Sequence, residues 1–133
     1  MNRKLNIFLI SLCLLFSFSV SAQKKIDGKR IKEVKEWKVE GKKRTLSQVT
    51  RYDKHSNKIE EIDYNSVGDQ KKRVTFEYNE AGKCIKESHY DKYNKLEKTV
   101  TFEYLEGGRK KSQSVFLPSG KLSHTKEFEY ILE

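Results

Sequence analysis

Tyrosine recurs every 26 residues along most of this chain, at positions 52, 78, 104 and 130. Other aromatic residues keep the same step: Phe76, Phe102 and Phe128 come two residues before a tyrosine, and Tyr64, Tyr90 and Phe116 come twelve after one. Turn-forming residues also keep it, in two slots occupied by Gly68, Asn94, Gly120 and by Gly82, Gly108. A repeat of this length means that each unit is one supersecondary element packed on its neighbours. The periodicity therefore predicts an ordered array, although 35% of the residues are charged.

Each 26-residue unit divides into halves of 12 and 14 residues, and each half begins with an aromatic residue. Asp or Asn often follows that residue, as in Tyr52-Asp53 and Tyr78-Asn79, and Gly or Asn comes three or four positions later. Asp and Asn side chains start turns, while Gly and Asn accept the positive φ at the end of a turn. Each half is therefore predicted to be a strand that enters a hairpin loop of about four residues.

The strands show the alternation expected of a sheet with one apolar and one polar face. Between residues 95 and 104, Leu96, Val100, Phe102 and Tyr104 share one parity, while threonines and acidic residues share the other. Residues 83–91 fit less well, because Ile85 falls on the face opposite Tyr90. A β-bulge near Ile85 would reconcile the two.

The predicted fold class is all-β, an antiparallel meander of about eight strands built from 26-residue double-strand repeats. The strands are expected near 30–39, 43–52, 57–65, 70–79, 83–91, 95–105, 109–117 and 121–131. Such a sheet has one aromatic face and nothing in the sequence to cover it, so it must curl, close or meet a partner. Right-handed twist favours a curled sheet or open barrel over a flat layer.

Residues 1–22 have the three parts of a secretory signal peptide. A basic start contains Arg3 and Lys4, an uncharged apolar run follows, and small residues lead up to Ala22. We expect cleavage after Ala22 and export to the periplasm or the outside of the cell. A membrane anchor is the alternative, although a stable span prefers about 20 apolar residues.

The expected mature chain is a single domain of residues 23–133, with regular repeats over about 49–133. Loss of Arg3 and Lys4 lowers the formal net charge from +9 to +7. The one remaining cysteine, Cys84, has no partner for a disulfide within the domain; a half-buried apolar role, a reactive thiol and an intermolecular link stay open. Basic residues alternate with acidic ones, which favours cross-strand ion pairs over nucleic-acid binding. Membrane contact is expected only during export.

The segment Phe76-Glu77-Tyr78-Asn79-Glu80-Ala81-Gly82-Lys83-Cys84-Ile85 resembles the YD repeat of the RHS family, whose core pattern is aromatic-x-Tyr-Asp/Asn-x-x-Gly-Arg/Lys-x-apolar. Residues 90–96 resemble a second copy, with Asn94 in place of the usual glycine, and residues 116–122 a third copy that lacks the Asp or Asn. The short hairpins are also similar to MORN-type repeats. Either resemblance implies a β-hairpin array with a binding or scaffolding role, and short RHS arrays are often described as carbohydrate-binding.

The aromatic residues form the candidate ligand platform, because the C–H faces of sugar rings pack on aromatic rings. The alternative is that these rings are simply the core. The candidate residues are Phe76, Tyr78, Tyr90, Phe102, Tyr104, Phe116, Phe128 and Tyr130.

No catalytic residue, cofactor-binding motif or metal site is predicted. The three histidines, His55, His89 and His124, do not recur with the repeat and have no acidic or cysteine partner at metal-ligand spacing. The sequence therefore predicts an exported, non-enzymatic binding or structural module of the cell envelope. It does not identify the partner, for which a glycan and an envelope protein are the two classes considered. An enzyme with a cryptic site is the alternative from another class.

Overall fold

The structure is a computed structural model that describes residues 25–133. The predicted signal peptide and its cleavage site lie outside the described residues. The ten strands are β1 (Lys25–Ile26), β2 (Lys29–Arg30), β3 (Glu33–Glu40), β4 (Lys43–Tyr52), β5 (Lys58–Tyr64), β6 (Gln70–Tyr78), β7 (Cys84–Tyr90), β8 (Leu96–Tyr104), β9 (Lys110–Phe116) and β10 (Leu122–Glu127). Residues 25–133 contain no helix, and so none that could span a membrane.

Strands β3 to β10 form one antiparallel sheet in which the spatial order follows the chain order. The two-residue strands β1 and β2 form a separate small hairpin. Within the sheet only consecutive strands contact each other, so the sheet does not close into a barrel and β3 and β10 are its two edges. The predicted fold class, an all-β antiparallel meander of eight strands, is confirmed.

The six strands from β4 to β9 begin and end within one residue of their predicted bounds. The last strand was predicted over 121–131 and is shorter, ending at Glu127. Phe128 still donates its backbone N–H to the Lys111 carbonyl at 3.0 Å. The regular pairing stops at Glu127 because β10 has a neighbouring strand on one side only.

Six hairpin loops between β4 and β10 have five residues each rather than the predicted four. In each loop the first residue donates its N–H to the carbonyl of the fifth, as Asp91 does to Lys95 at 2.9 Å. The Asp91 side chain accepts two further backbone N–H groups, from Tyr93 and Lys95. The fourth loop position has positive φ, which is why Gly or Asn occupies it in five of the six loops; Asn94 has φ 61° and Gly82 has φ 74°, and Ser56 takes φ 64° in the β4–β5 loop.

A β-bulge follows every one of these six loops, at the second residue of the incoming strand. The bulged residues, which have no direct partner across the ladder, are Ile59, Lys71, Ile85, Glu97, Lys111 and Ser123. The bulge considered at Ile85 from its parity is therefore present. An extra residue in one strand shifts every later side chain of that strand to the other face of the sheet.

The core is thin and is spread along the middle of the sheet. The buried apolar residues are Val49, Ile62, Val74, Val100 and Phe102. Val49 and Ile62 are direct partners on one face, whereas Val74, Val100 and Phe102 lie on the other. The sheet is thus a single layer that places buried residues on both of its faces.

Candidate ligand-binding surfaces

The predicted aromatic platform is divided between the two faces, and the expectation of one aromatic face is wrong. Tyr78 is opposite Cys84 across the ladder, whereas Tyr90 is opposite Arg73. Because Arg73 is five positions from Tyr78 on the same strand, Tyr90 and Tyr78 point to opposite faces. Without the bulge at Ile85, Tyr90 would fall opposite Lys72, on the face of Tyr78. The bulge is the physical reason for the division.

We call one side the tyrosine face; it carries Val74, Phe76, Tyr78, Val100, Phe102 and Tyr104. Tyr78 and Tyr104 of this face, and Tyr130 beyond β10, each donate the hydroxyl to a backbone carbonyl twenty residues earlier. The bonds are Tyr78 to Lys58 at 2.7 Å, Tyr104 to Cys84 at 2.5 Å and, beyond β10, Tyr130 to Lys110 at 2.7 Å. The same bond therefore recurs with the 26-residue period and ties each hairpin to the previous one.

Cations cover the rings of the tyrosine face. The Lys58 ammonium lies 4.5 Å from the centre of the Phe76 ring, and the Lys110 ammonium lies 4.3 Å from that of Phe102. Such contacts are worth about 0.5–1 kcal/mol at exposed sites. Because the hydroxyls of Tyr78 and Tyr104 are engaged by backbone carbonyls and Phe102 is buried, the arrangement favours the core interpretation for this face.

Burial of the eight candidate residues follows their position in the sheet. Phe102 is the most buried, with 8% of its surface exposed, whereas Phe128 and Tyr130 beyond β10 are 40% and 38% exposed. The other five are half-buried. Burial raises the pKa of Tyr78 to about 12 and raises that of Tyr104 as well, so both phenols stay protonated and can donate their hydrogen bonds.

The opposite side, which we call the hydroxyl face, was not predicted as a site. Between β6 and β10 it carries a strip of short hydroxyl side chains: Thr75, Ser88, Thr99, Thr101, Ser112, Ser114 and Thr125. Tyr90 and Phe116 border the strip at one end of the strands. The signal was present in the sequence, because Thr75 and Thr101, Ser88 and Ser114, and Thr99 and Thr125 are each 26 residues apart.

A shallow hollow lies at the β8–β10 end of the hydroxyl face. Its volume is about 430 Å³, and it is lined by Glu103, Lys111, Ser112, Ser114, Thr125, Glu127 and Phe128. The Ser114 and Thr125 hydroxyls are 2.9 Å apart and share a hydrogen bond. The hollow therefore combines hydroxyl and carboxylate groups with one aromatic ring.

An ionic ladder occupies the β3–β6 part of the hydroxyl face. Arg51 bonds Glu33 with Nε at 2.9 Å and also pairs with Glu60, which in turn accepts from Arg73 Nη1 at 3.0 Å. The hydrogen bond from Arg51 lowers the pKa of Glu33. The Arg73 guanidinium also lies 4.2 Å from the centre of the Tyr90 ring. These strand cations are thus engaged by acidic and aromatic neighbours, as the alternating charges predicted.

A second charged cluster lies on the tyrosine face. Burial alone would raise the pKa of Asp63, but hydrogen bonds from Gln48 at 2.7 Å and from Lys72 at 3.0 Å outweigh it and hold that pKa below its ordinary value. The hydrogen bond with the Asp63 carboxylate in turn raises the pKa of Lys72.

One pair of polar side chains among the described residues, His89 and Glu87, has the form of a base and its orienting carboxylate. His89 Nε2 lies 3.0 Å from Glu87 Oε2, but the two are neighbours on one strand, and both are half-buried. Cys84 is five residues from His89 along β7, or about 16 Å in an extended strand, which is too far for a thiol and its base. Burial raises the pKa of the Cys84 thiol, so the thiolate is disfavoured.

No group of three or more His, Cys, Asp and Glu side chains among residues 25–133 is arranged to hold a metal ion. His55 lies in the β4–β5 loop and His124 lies on the edge strand β10. The three histidines therefore occupy separate places in the fold.

The fold and the two faces define a class: a single-layer sheet of repeated hairpins with a tyrosine face and a hydroxyl face. No known family model matches the chain. No curated protein matches it either.

Proposed function

We propose that this chain is an exported, non-enzymatic binding or structural module that acts in the cell envelope or outside the cell. The observation that carries the proposal is the hydroxyl face, whose strip of short hydroxyl side chains spans β6 to β10 with an aromatic border. Ser88 and Ser112 of the strip are buried, and its other members are half-buried or exposed. A surface of this shape suits an extended partner better than a small substrate, which needs an enclosed pocket. The likeness of residues 76–85 to YD repeats is consistent with a binding role.

Export is supported by the basic start, apolar run and small residues of positions 1–22. Intact-mass spectrometry of the protein recovered from outside the cytoplasm tests it. We expect the first residue to be Gln23 or its cyclised form. A mass that includes Met1 or the apolar run would contradict the proposal.

The second candidate is more specific: a carbohydrate-binding protein. Sugars are held by hydrogen bonds to their hydroxyls together with aromatic rings against their C–H faces. The hydroxyl face offers both, with Tyr90 and Phe116 beside the Ser/Thr strip. On this view the ligand platform is Tyr90 and Phe116 with the strip, and the rings of the tyrosine face are core.

Affinity electrophoresis with a panel of soluble polysaccharides tests the carbohydrate candidate. We expect Tyr90→Ala to abolish the retardation of the protein by the polysaccharide that it binds. The matched control is Tyr93→Ala, which removes an aromatic ring that is 77% exposed in the loop after Tyr90. A cooperative thermal unfolding transition in both variants shows that the fold is kept. If no polysaccharide retards the parent protein, the carbohydrate candidate is rejected and an envelope protein becomes the partner to seek.

A further inference from the structure

The two outer strands of the sheet differ in how open their outer edges are. β10 has six residues and a bulge at Ser123, and a short or bulged edge strand is a poor template for a further strand. β3 has eight residues, and the register shift along it comes from an extra residue of β4, Ser47, so β3 itself is regular. The small hairpin of β1 and β2 contacts no strand of the sheet. Among residues 25–133, the outer edge of β3 is therefore the longer and more regular uncovered edge.

The backbone of β3 shows which residues direct their polar groups to this edge. The Lys32 carbonyl accepts the Tyr52 N–H at 3.0 Å, and the Glu36 carbonyl accepts the Ser47 hydroxyl at 3.0 Å, so both carbonyls point towards β4. In an antiparallel sheet, alternate residues of a strand direct their N–H and C=O groups to opposite neighbours. The residues that direct theirs to the outer edge are Glu33, Lys35, Trp37 and Val39.

Two large apolar side chains of β3 are exposed beside this edge. Trp37 is 42% exposed and Val39 is 64% exposed. Both point to the hydroxyl face, since Lys35, on the same side of the strand, is opposite Val49. A long edge strand that exposes apolar side chains favours pairing with another strand.

A second copy of the chain can pair through the same edge. Two β3 strands that meet antiparallel at their outer edges are related by a two-fold axis perpendicular to the sheet, so each face continues into the same face of the other copy. Directly opposed residues point to one face, which requires that the residue at the axis be opposite itself. Two registers of this kind pair seven residues of β3, one centred on Trp37 and one centred on Glu36.

The charges distinguish these two registers. With Trp37 at the axis, Glu36 of each copy is opposite Lys38 of the other, whereas with Glu36 at the axis two carboxylates are opposite each other. Opposite charges directly across a strand pair stabilise it, and like charges destabilise it. In the described part of the chain, Glu36 takes part in no ion pair, and Lys38 pairs only with Glu40 on its own strand, where both side chains are 66% exposed. The register centred on Trp37 is therefore favoured.

We propose that β3 pairs with β3 of a second copy, antiparallel and centred on Trp37, with Glu36 of each copy opposite Lys38 of the other. The contact uses the same surface on both copies, so it closes a symmetric dimer in which the two eight-stranded sheets continue as one and the hydroxyl faces lie on the same side. One strand per copy makes a small interface, in the transient class below about 1,200 Å². Dimerisation therefore depends on protein concentration, and it does not depend on a ligand of the hydroxyl face.

Disulfide capture in a Cys84→Ser background tests the register. One preparation carries Glu36→Cys and another carries Lys38→Cys, and they are oxidised mildly, both separately and as a mixture. The proposed register holds the two positions opposite each other with Cα atoms about 4.5 Å apart, which a disulfide spans. Two copies of one variant hold their Cα atoms about 8 Å apart, which a disulfide does not span. We expect about tenfold more disulfide dimer in the mixture than in either preparation alone.

The other registers have their own signatures in the same experiment. Efficient capture of Glu36→Cys with itself places Glu36 at the axis, and efficient capture of Lys38→Cys with itself places Lys38 there. Either result, or no disulfide dimer in the mixture, overturns the proposal.

Charge reversal tests the interface without cysteines, by sedimentation equilibrium. We expect the parent to associate as its concentration rises towards about 1 mM. Glu36→Lys should remain monomeric, because it sets a lysine opposite Lys38 on both sides of the axis, and Glu36→Lys combined with Lys38→Glu should associate again. Glu106→Lys, in the β8–β9 loop, makes the same change of net charge away from β3 and should associate like the parent. Circular dichroism confirms that each variant is folded.

Trp37 reports the contact directly, because it is the only tryptophan in the sequence and lies at the proposed axis. We expect its fluorescence maximum to move to shorter wavelength as the parent associates, and to stay constant with concentration in Glu36→Lys. A parent that stays monomeric at about 1 mM, association that survives Glu36→Lys, or association without a change in Trp37 emission overturns the proposal.

Discussion

Replacement of Phe102 by alanine distinguishes a structural tyrosine face from a ligand platform. Phe102 lies in the middle of β8 with Val100 and Tyr104 on its own face, and only 8% of its surface is exposed. Truncation of a buried phenylalanine costs about 3–5 kcal/mol. The flexible Lys110 chain, whose ammonium lies 4.3 Å from the centre of the ring, can move into part of the space. We therefore expect Phe102→Ala to lower the free energy of unfolding by about 3 kcal/mol, at the lower end of that range.

Urea denaturation followed by circular dichroism measures this loss. With a urea dependence of about 2 kcal/mol per molar, the midpoint should fall by about 1.5 M. Thr101→Ala is the matched control, because Thr101 is the neighbour that points to the hydroxyl face; its change should stay below about 1 kcal/mol. A Phe102→Ala protein as stable as the parent would refute the core assignment. If that protein had also lost ligand binding, the tyrosine face would be the platform.

Four further predictions each concern a single residue. Tyr104→Phe removes the hydroxyl that bonds a backbone carbonyl and should lower the free energy of unfolding by about 0.5–1.5 kcal/mol in the same urea assay. Gly108→Ala forces a side chain into φ +77° and should cost about 1–2 kcal/mol, whereas Gly107→Ala in the same loop should be nearly neutral. Asp63 has a lowered pKa in the folded state. Its contribution to the free energy of unfolding is therefore complete above its unfolded pKa of about 3.9, and it is lost as the pH falls through the folded pKa. The difference in urea midpoint between Asp63→Asn and the parent should therefore shrink from pH 6 to pH 2, and a constant difference would contradict the assignment. The Cys84 thiol should react with a disulfide reagent more slowly than an exposed cysteine at neutral pH, and faster as the pH rises.

Much of the fold could be predicted because its information is local and periodic. The 26-residue step located the aromatic positions and the loops, and β4 to β9 lie within one residue of their predicted bounds. Asp91 and Asn94 show why the loops were recognisable: the Asp91 carboxylate accepts loop N–H groups, and Asn94 accepts φ 61°. Turn chemistry of this kind depends on a few adjacent residues, and a single sequence therefore reveals it.

The face of each side chain could not be predicted in the same way. Within one strand, alternate residues point to alternate faces, so their faces can be counted from the sequence. That count cannot be carried across a loop, and a bulge reverses it. The bulge at Ile85 sends Tyr90 away from Tyr78 and places Ser88 opposite Thr75 and Thr99 on the other face. The hydroxyl face was therefore overlooked, although its residues recur with the same period.

By itself the sequence determined the all-β class, the number and order of the strands in the main sheet, and the positions of the loops from β4 onwards, because these depend on local alternation and turn chemistry repeated at a fixed step. The tertiary structure decided which residues share a face, which charges meet and which edges remain uncovered. The ladder between Glu33, Arg51 and Glu60 joins three strands, and no spacing along the chain specifies it. Such contacts depend on the register between strands, which is set by hydrogen bonds across the sheet and by the bulge after each loop.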